Sequence, residues 1–288
     1  MAKEITRCNY CDCDDLNSIL KVEDLSVTKE KFELLECFCC GLIHTNPQPL
    51  EDEIGKYYQS EEYVSHTDTK KGLINNLYHL ARKLTLNRKL SILSKYHKKT
   101  SLLDIGCGTG YFAEHMKANG YIVSGMEPDI ATNKIASNKL QQNVFHSLNE
   151  VHGKYKLITM WHVFEHVHDI NETVKKLESL LDKDGVLIIA VPNPESPDAV
   201  IYKEYWAAYD VPRHIYHYRK SVMKQIVNRH DLKVTRILPM KFDSYYISML
   251  SEKYKGGNVF KAFINGFLSN LKAKKHNTSS LIYIIERK

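Results

Sequence analysis

Short apolar runs and stretches of mixed polarity alternate in the part of the chain that follows residue 100. Residues 101–105 form an apolar run interrupted only by Ser101 and Asp104, and they predict a buried strand. A turn rich in glycine comes next, and residues 111–119 predict a helix. Residues 121–126 predict a second strand. This order of elements is typical of an α/β fold with a parallel sheet.

Ahead of this unit, residues 71–99 show the three- and four-residue spacing of an amphipathic helix. The apolar positions on its predicted inner face are Leu73, Ile74, Leu77, Leu80 and Leu84. We interpret the lysines and arginines on the other face as a solvated surface. Residues 50–58 begin a shorter acidic helix. We therefore predict that residues 50–99 form a helical connector, which docks the N-terminal segment onto the main domain.

The composition of the 288 residues is that of an ordinary globular protein, with 43% hydrophobic residues, 26% charged residues and a formal net charge of +6. These values exclude the disordered and fibrous classes. The longest purely apolar run, residues 186–191, is far shorter than the roughly 20 residues of a membrane-spanning helix. Because residues 1–10 lack the apolar core of a secretory signal, we expect a cytoplasmic protein.

Six of the seven cysteines lie within the first forty residues. Clustered thiols in a cytoplasmic chain indicate metal or redox chemistry rather than disulfides. Cys8 and Cys11 form one C-x-x-C pair, and Cys37 and Cys40 form a second. Because a two-residue spacer lets both sulfurs of a pair face one centre, the two pairs predict a structural Zn²⁺ held by four thiolates.

Two further cysteines, Cys13 and Cys39, leave the ligand register open, and Cys13 in place of Cys11 is one alternative. A second alternative is that the cysteines are free thiols, either reactive or buried. Phe32 and Leu34 alternate with charged neighbours and predict strands between the two pairs. We therefore predict that residues 1–49 form a zinc-ribbon domain.

The glycine-rich turn at residues 106–110 joins a predicted strand to a predicted helix, where backbone amides can approach a nucleotide-like ligand. Its G-x-G-x-G spacing differs from the dinucleotide fingerprint G-x-G-x-x-G, because position 111 is Tyr. Glu127 lies 23 residues after Asp104, at the end of the second predicted strand. An acidic group at that place is suited to accept hydrogen bonds from both hydroxyls of a ribose.

These motifs resemble those of class I S-adenosylmethionine-dependent methyltransferases, in the branch related to quinone biosynthesis. The segment DIGCGTG at residues 104–110 is similar to the first motif of the family, and GMEPD at residues 125–129 is similar to the second. HVFEHV at residues 162–167 resembles the Glu-His signature that follows the fourth strand. A ribbon with two C-x-x-C pairs also recurs ahead of such domains, including in sugar C-methyltransferases.

The resemblance implies a Rossmann-like methyltransferase fold, with a mostly parallel seven-stranded sheet and an antiparallel last strand, over residues 100–288. The later strands would lie at residues 155–161, 185–191, 232–238 and 281–285. The implied cofactor is S-adenosyl-L-methionine. From its length we do not expect the extra C-terminal domain of the sugar enzymes. It also lacks the (Asp/Asn)-Pro-Pro-(Tyr/Phe) element of nucleic-acid amino-methyltransferases after the fourth strand.

The resemblance also assigns residues to the cofactor site. Those expected there are Asp104, Gly106, Cys107, Gly108, Gly110, Glu127 and Pro128, with Trp161 and His162 beside the methyl donor. A base must remove the proton of a hydroxyl, amine or acidic-carbon acceptor, and histidine is the commonest choice. His166 is our candidate for this base, and His214 and His217 in the loop after the fifth strand are alternatives.

Two of these assignments have structural alternatives. In the first alternative, Glu165 and His166 only cap and orient the following helix. Arg213 follows Pro212 in the loop after the fifth predicted strand. It binds either an acidic substrate or a carboxylate of the protein such as Asp210.

A helical insertion is expected at about residues 241–279, between the last two strands. Its apolar face carries Phe260, Phe263, Ile264, Phe267, Leu268 and Leu271, and lysines follow. We favour packing of this face on the protein's own core or on a twin subunit. Contact with an anionic membrane, where the helix would present a lipid-linked acceptor, is the alternative.

Three classes of function fit the sequence. A methyltransferase that acts on a small molecule, such as a sugar or another biosynthetic intermediate, is the first. An RNA methyltransferase is the second, but we do not expect a nucleic-acid partner, because no dense basic patch with interleaved aromatic residues is present. The third is a non-catalytic donor-binding scaffold, against which the intact glycine turn and Glu127 argue.

Overall fold

The computed structural model describes residues 2–51, 53–58, 73–274 and 277–288, and for residues 73–81 it describes the backbone alone. The first sheet is antiparallel and lies in the N-terminal region. Its strands are β1 (Leu16–Glu23), β2 (Lys31–Cys37) and β3 (Ile43–Asn46). A fourth strand, Tyr216–His217, comes from much later in the chain and pairs with β3.

The second sheet is the centre of the molecule. Its strands are β4 (Ser101–Ile105), β5 (Ile122–Met126), β6 (Tyr155–Trp161), β7 (Leu181–Pro192), β9 (Leu232–Pro239) and β10 (Ser280–Arg287). The number β8 belongs to Tyr216–His217 of the first sheet. They lie in the order β5-β4-β6-β7-β10-β9. Strands β4 to β7 are parallel, and β10 is antiparallel to both of its neighbours. The predicted Rossmann-like fold class with an antiparallel last strand is therefore confirmed.

The expected third strand of the sheet is reduced to one bridge, so the described part of the chain forms six strands rather than seven. Phe145 pairs in parallel with Met126 and no ladder follows. Phe145 exchanges backbone hydrogen bonds with Gly125 and Glu127, and the segment before it is polar. The side-chain amide of Asn133 also donates to the carbonyl oxygens of Val144 and Phe145.

Eight α-helices are present in the described residues. They are α1 (Leu73–Leu93), α2 (Tyr111–Ala118), α3 (Ile130–Leu140), α4 (Ile170–Leu180), α5 (Pro197–Tyr202), α6 (Lys220–Asn228), α7 (Asp243–Tyr254) and α8 (Val259–Lys272). Within the predicted connector, residues 54–58 form a short 3-10 helix and α1 ends at Leu93. Of the five residues predicted on the apolar inner face of α1, four lie outside the residues whose side chains are described. The fifth, Leu84, is half exposed.

Successive side chains of each strand point to opposite faces of the central sheet, and both faces are buried. Leu102, Leu157 and Ile188 pack under α1, α2 and α3. The opposite face packs on α4 and α6, and its core continues into Tyr10 and Leu42 of the N-terminal region. The cysteine-rich segment and the central sheet therefore share one apolar core. None of the helices described combines the length and the apolar composition that crossing a membrane requires.

Candidate functional site

The glycine turn lies at the carboxyl end of β4, where open α/β sheets bind ligands. Gly106 and Gly110 have φ of 66° and 82°, in the left-handed region that favours glycine. A Cβ at Gly106 would lie 2.4 Å from Val163, so that position has no room for a side chain. A Cβ at Gly108 would meet no atom within 4 Å. The turn thus packs closely on one side and leaves space beside Gly108 for a ligand.

Glu127 lies beside this turn, at the end of β5, as the sequence predicts. One carboxylate oxygen accepts a hydrogen bond from the backbone N–H of Gly108 at 2.9 Å, and the other accepts one from Asp129 at 3.1 Å. Burial raises the pKa of this carboxyl, which the two amides counteract. Pro128 follows and is exposed. The structure therefore brings the turn and the acidic residue together, with acceptor lone pairs left for hydroxyl groups.

Asp104 is buried under the turn, where Thr159 donates a hydrogen bond to its carboxylate at 2.7 Å. Burial raises the pKa of Asp104 to about 7. Lys89 of α1 lies nearby, and its ammonium is 4.1 Å from the centre of the Trp161 ring. Burial lowers the pKa of Lys89 to about 8. Lys89 was not predicted, because a lysine on a helix face is usually solvated.

His162 follows β6 and lies between two carboxylates. Its Nδ1 is 3.3 Å from Glu165, and its Nε2 is 3.1 Å from Asp243 of α7. Burial lowers the pKa of His162, but the hydrogen bonds to Asp243 and Glu165 outweigh it and raise the pKa to about 10. The ring is therefore an imidazolium at neutral pH and donates both N–H groups. Asp243 was not predicted, since it lies 81 residues from its partner in the sequence.

His166 is oriented by the backbone of the later loop. Its Nδ1 lies 2.8 Å from the carbonyl oxygen of Arg213 and 3.2 Å from the hydroxyl of Tyr58. Because a carbonyl oxygen only accepts, Nδ1 carries the proton and Nε2 keeps a lone pair. Burial, with a smaller effect of His214, lowers the pKa of His166 to about 4. The ring is therefore neutral at pH 7 and can accept a proton at Nε2.

His214 lies against His166, and their ring centres are 4.7 Å apart. Its Nδ1 is 2.9 Å from the carbonyl oxygen of Ala208, and its Nε2 lies 3.8 Å from the carboxylate of Asp210 and 3.9 Å from that of Glu165. The other alternative base, His217, lies elsewhere, since its Nε2 contacts the hydroxyl of Thr45 in β3 at 3.1 Å. The structure thus brings two of the three candidate bases together.

Glu165 is the buried carboxylate of this histidine cluster and does not cap the following helix. The cap of α4 is Asp169, whose side chain accepts from the N–H of Glu172. The capping part of the alternative, in which Glu165 and His166 only cap and orient that helix, is therefore wrong. Burial raises the pKa of Glu165, but the hydrogen bond from His162 prevails and lowers the pKa to about 2.

Arg213 is an internal residue, since its side chain is only 2% exposed. It pairs with Asp24 at 3.0 Å and with Asp210 at 2.7 Å, and it donates to the carbonyl oxygen of Tyr57. The predicted pairing with Asp210 is confirmed, and the alternative role of binding an acidic substrate is wrong. Arg213 instead ties the loop that carries His214 to the turn after β1.

We expect Arg213→Ala to lower the free energy of unfolding by about 3–5 kcal/mol, because it leaves the buried Asp24 without its cation. Urea unfolding measures this loss. The matched control is Arg7→Ala, which removes an exposed pair with Asp12 and should cost about 0–1 kcal/mol. Equal losses in the two variants would contradict the internal role of Arg213.

The four predicted zinc ligands converge in the N-terminal region. The sulfurs of Cys8, Cys11, Cys37 and Cys40 all lie within 4.8 Å of one another. Cys8 and Cys40 are 3.7 Å apart, and Cys11 and Cys37 are 3.5 Å apart. Sulfurs bound at about 2.3 Å to one tetrahedral zinc would be roughly 3.8 Å apart. The donor set and its geometry therefore fit this metal.

The surroundings of the cluster favour one ligand register. Cys13 is bonded to Cys39 by a disulfide, so the alternative in which Cys13 replaces Cys11 does not fit. The hydrogen bond from Cys40 lowers the pKa of Cys8 to about 3, which favours a thiolate within the cluster. His44 supports the same sulfur, with its Nε2 at 3.3 Å from it.

Residues 76–237, more than half of the chain, match the family model described as "Methyltransferase domain". The chain therefore belongs to this methyltransferase family. It is similar to the ubiquinone biosynthesis O-methyltransferase of Pelagibacter ubique, with 32% identity over 113 residues, which are 36% of this chain and 47% of that protein. The enzyme of the same name from Rickettsia conorii is 24% identical over 210 residues, covering 62% of this chain and 72% of the relative.

Solved structures show the same fold. Magnesium protoporphyrin IX methyltransferase from Synechocystis PCC 6803, with bound SAH, is 16% identical, with a TM-score of 0.54 over 81% of this chain and 97% of that one. A SAM-dependent methyltransferase from Archaeoglobus fulgidus is 21% identical, with a TM-score of 0.50 over 72% and 94% of the two chains. The alignment spans about half the length of the first curated relative above. The family model shows the family, and the solved structures show the fold alone.

Proposed function

We propose that the protein is an S-adenosylmethionine-dependent methyltransferase with a small-molecule acceptor. The observation that carries this proposal is the glycine turn at the end of β4 with the Glu127 carboxylate hydrogen-bonded to Gly108. Membership of the methyltransferase family and similarity to proteins named ubiquinone biosynthesis O-methyltransferase support it. Within this class we favour a biosynthetic intermediate such as a sugar or a lipid-linked molecule as acceptor.

The chain's main task in such a reaction is to orient the reactants. When bound, S-adenosylmethionine supplies a methyl group that its sulfonium already activates. Glu127 would accept the hydrogen bonds of the ribose hydroxyls, and the amides of the glycine turn would hold the adjoining part of the donor. Holding donor and acceptor in line for displacement can supply up to about 7–11 kcal/mol of the barrier reduction.

His166 would serve as the base that takes the proton of the acceptor. Its Nδ1–H is held by the carbonyl oxygen of Arg213, so the lone pair of Nε2 has a fixed direction. The charge of Glu165 favours the imidazolium that forms when the proton is taken up. His214 lies beside it, with its Nδ1 held by the carbonyl oxygen of Ala208, and would be the alternative base.

The four-cysteine cluster would hold one structural zinc ion. We base this on four converging sulfurs and on the support of Cys8 by His44. Four thiolates close the coordination shell and leave no position for a substrate, which is typical of structural rather than catalytic zinc.

We expect Glu127→Ala to weaken the binding of S-adenosylhomocysteine by about 1–3 kcal/mol, because ribose hydroxyls would lose their acceptor. Glu127→Gln keeps one acceptor oxygen and should lose less. Isothermal titration calorimetry measures both, and the matched control Glu172→Ala changes an exposed carboxylate at the start of α4. An affinity that all three substitutions leave unchanged would remove Glu127 from the donor site.

A further inference from the structure

The helical hairpin formed by α7 and α8 concentrates the exposed apolar side chains of the molecule. Of the seventeen large apolar residues exposed in the described part of the chain, nine lie between residues 242 and 271. They are Phe242, Tyr246, Met249, Val259, Phe260, Phe263, Ile264, Phe267 and Leu271, which we call the hairpin patch. Scattered exposed apolar residues need no explanation, but a contiguous group marks an interaction surface.

Helix α8 is attached to the protein by its small and polar side. Its buried residues are Ala262, Gly266 and Ser269. A Cβ at Gly266 would lie 3.0 Å from the Cα of Tyr245, so the glycine permits close approach to α7. Ser269 bonds to the carboxylate of Asp198 at 2.7 Å. The expectation that the apolar face packs on the protein's own core is therefore wrong, because the opposite face does so.

The degree of exposure shows that the apolar face has no cover within the described chain. Phe260 is 78% exposed, Phe263 61% and Leu271 71%. With Phe267 between the last two, they recur every three or four positions and form one stripe along α8. The hairpin therefore presents an amphipathic helix whose apolar stripe faces outward.

Within residues 241–274, every exposed charged residue is a lysine. Six lysines are exposed in this segment: Lys241, Lys253, Lys255, Lys261, Lys272 and Lys274. The two acidic residues of the segment face inward, since Asp243 bonds to His162 and Glu252 is buried. A second copy of the chain would bring like charges together. An anionic bilayer complements both the lysines and the apolar stripe.

We propose that the α7–α8 hairpin docks on an anionic lipid bilayer, with Phe260, Phe263 and Phe267 in the acyl boundary and the lysines at the phosphates. The hairpin is joined to the candidate site, because α7 begins at Asp243, which holds His162. A docked protein would therefore open its site close to the membrane. In that position the acceptor would be supplied from the lipid phase. This consequence rests on the proposed function, whereas the docking itself does not.

Flotation of the full chain with phosphatidylcholine vesicles, with and without phosphatidylglycerol, tests the docking. We expect binding to the anionic vesicles only. The triple variant Phe260→Ser, Phe263→Ser, Phe267→Ser should bind at least about tenfold more weakly, since it removes the apolar contact. Lys261→Gln and Lys272→Gln should each weaken binding roughly fivefold and reduce its salt dependence. Ile122→Ser changes a residue that is 73% exposed on β5 and is the matched control, which should bind normally.

Circular dichroism checks that each variant is folded. Because flotation requires no methyl donor, its result does not depend on the proposed function. Absence of binding to both kinds of vesicle, or binding that the triple variant retains in full, would overturn the proposal. A concentration-dependent dimer in sedimentation velocity, abolished by the triple variant and accompanied by no vesicle binding, would replace the bilayer with a second copy of the chain.

Discussion

Purified protein should contain about one zinc ion per chain, and its removal should unfold β1 to β3. Binding of structural zinc by small domains supplies about 10–16 kcal/mol, which becomes folding free energy. Cys37→Ser removes one of the four converging sulfurs and should cause both losses. Metal analysis and far-UV circular dichroism during chelation measure them. S-adenosylhomocysteine binding should persist, because the glycine turn and Glu127 contain no ligand of the cluster.

The matched control is Cys39→Ser, which changes a cysteine of the same region that lies outside the cluster. This variant should keep its zinc. Protein prepared without chelator that contains no zinc would contradict the assignment, as would a Cys37→Ser variant with undiminished metal and stability.

A second large effect is expected for the turnover of His166→Ala, which should fall about 10²–10⁴-fold through loss of the general base. Donor affinity should change little, because Nε2 would face the acceptor. The parent rate should rise with pH through the His166 pKa of about 4 and then level off, because only the neutral ring has a free lone pair at Nε2. Steady-state rates with an identified acceptor measure both effects.

His168→Ala is the control for this prediction, since His168 lies in the same loop but contacts the carbonyl oxygen of Pro49. It should keep most of its turnover. A His166→Ala variant that loses thermal stability and retains turnover would show a structural role instead. Complete loss of donor binding in this variant would place His166 on the donor side of the site.

The parts of the fold that the sequence predicted are those set by local patterns. Apolar runs, the glycine turn and the distance to Glu127 each report the conformation of a few neighbouring residues, so β4, α2 and β5 were found close to their true limits. The cysteine pairs were also informative, since the four cysteines that their spacing brings together do converge in the structure.

The parts that escaped prediction depend on contacts between distant segments. Asp243 contacts His162, and Tyr216–His217 extends the N-terminal sheet. In neither case does the local sequence indicate which distant residue is the partner. The lone bridge at Phe145 is formed by backbone hydrogen bonds with Gly125 and Glu127, about twenty residues earlier in the chain. Helix α8 shows a different limit, since periodicity identifies an apolar stripe but does not tell whether it faces the core or the outside.

The most direct test of the account is a calorimetric titration of the unmodified protein with S-adenosylhomocysteine, followed by a titration with NAD under the same conditions. The glycine turn and Glu127 predict one binding site for S-adenosylhomocysteine per chain, with a Kd on the order of micromolar, and weaker or no binding of NAD. No heat of binding with S-adenosylhomocysteine, or tighter binding of NAD, would contradict the central claim that this is a methyl-donor site.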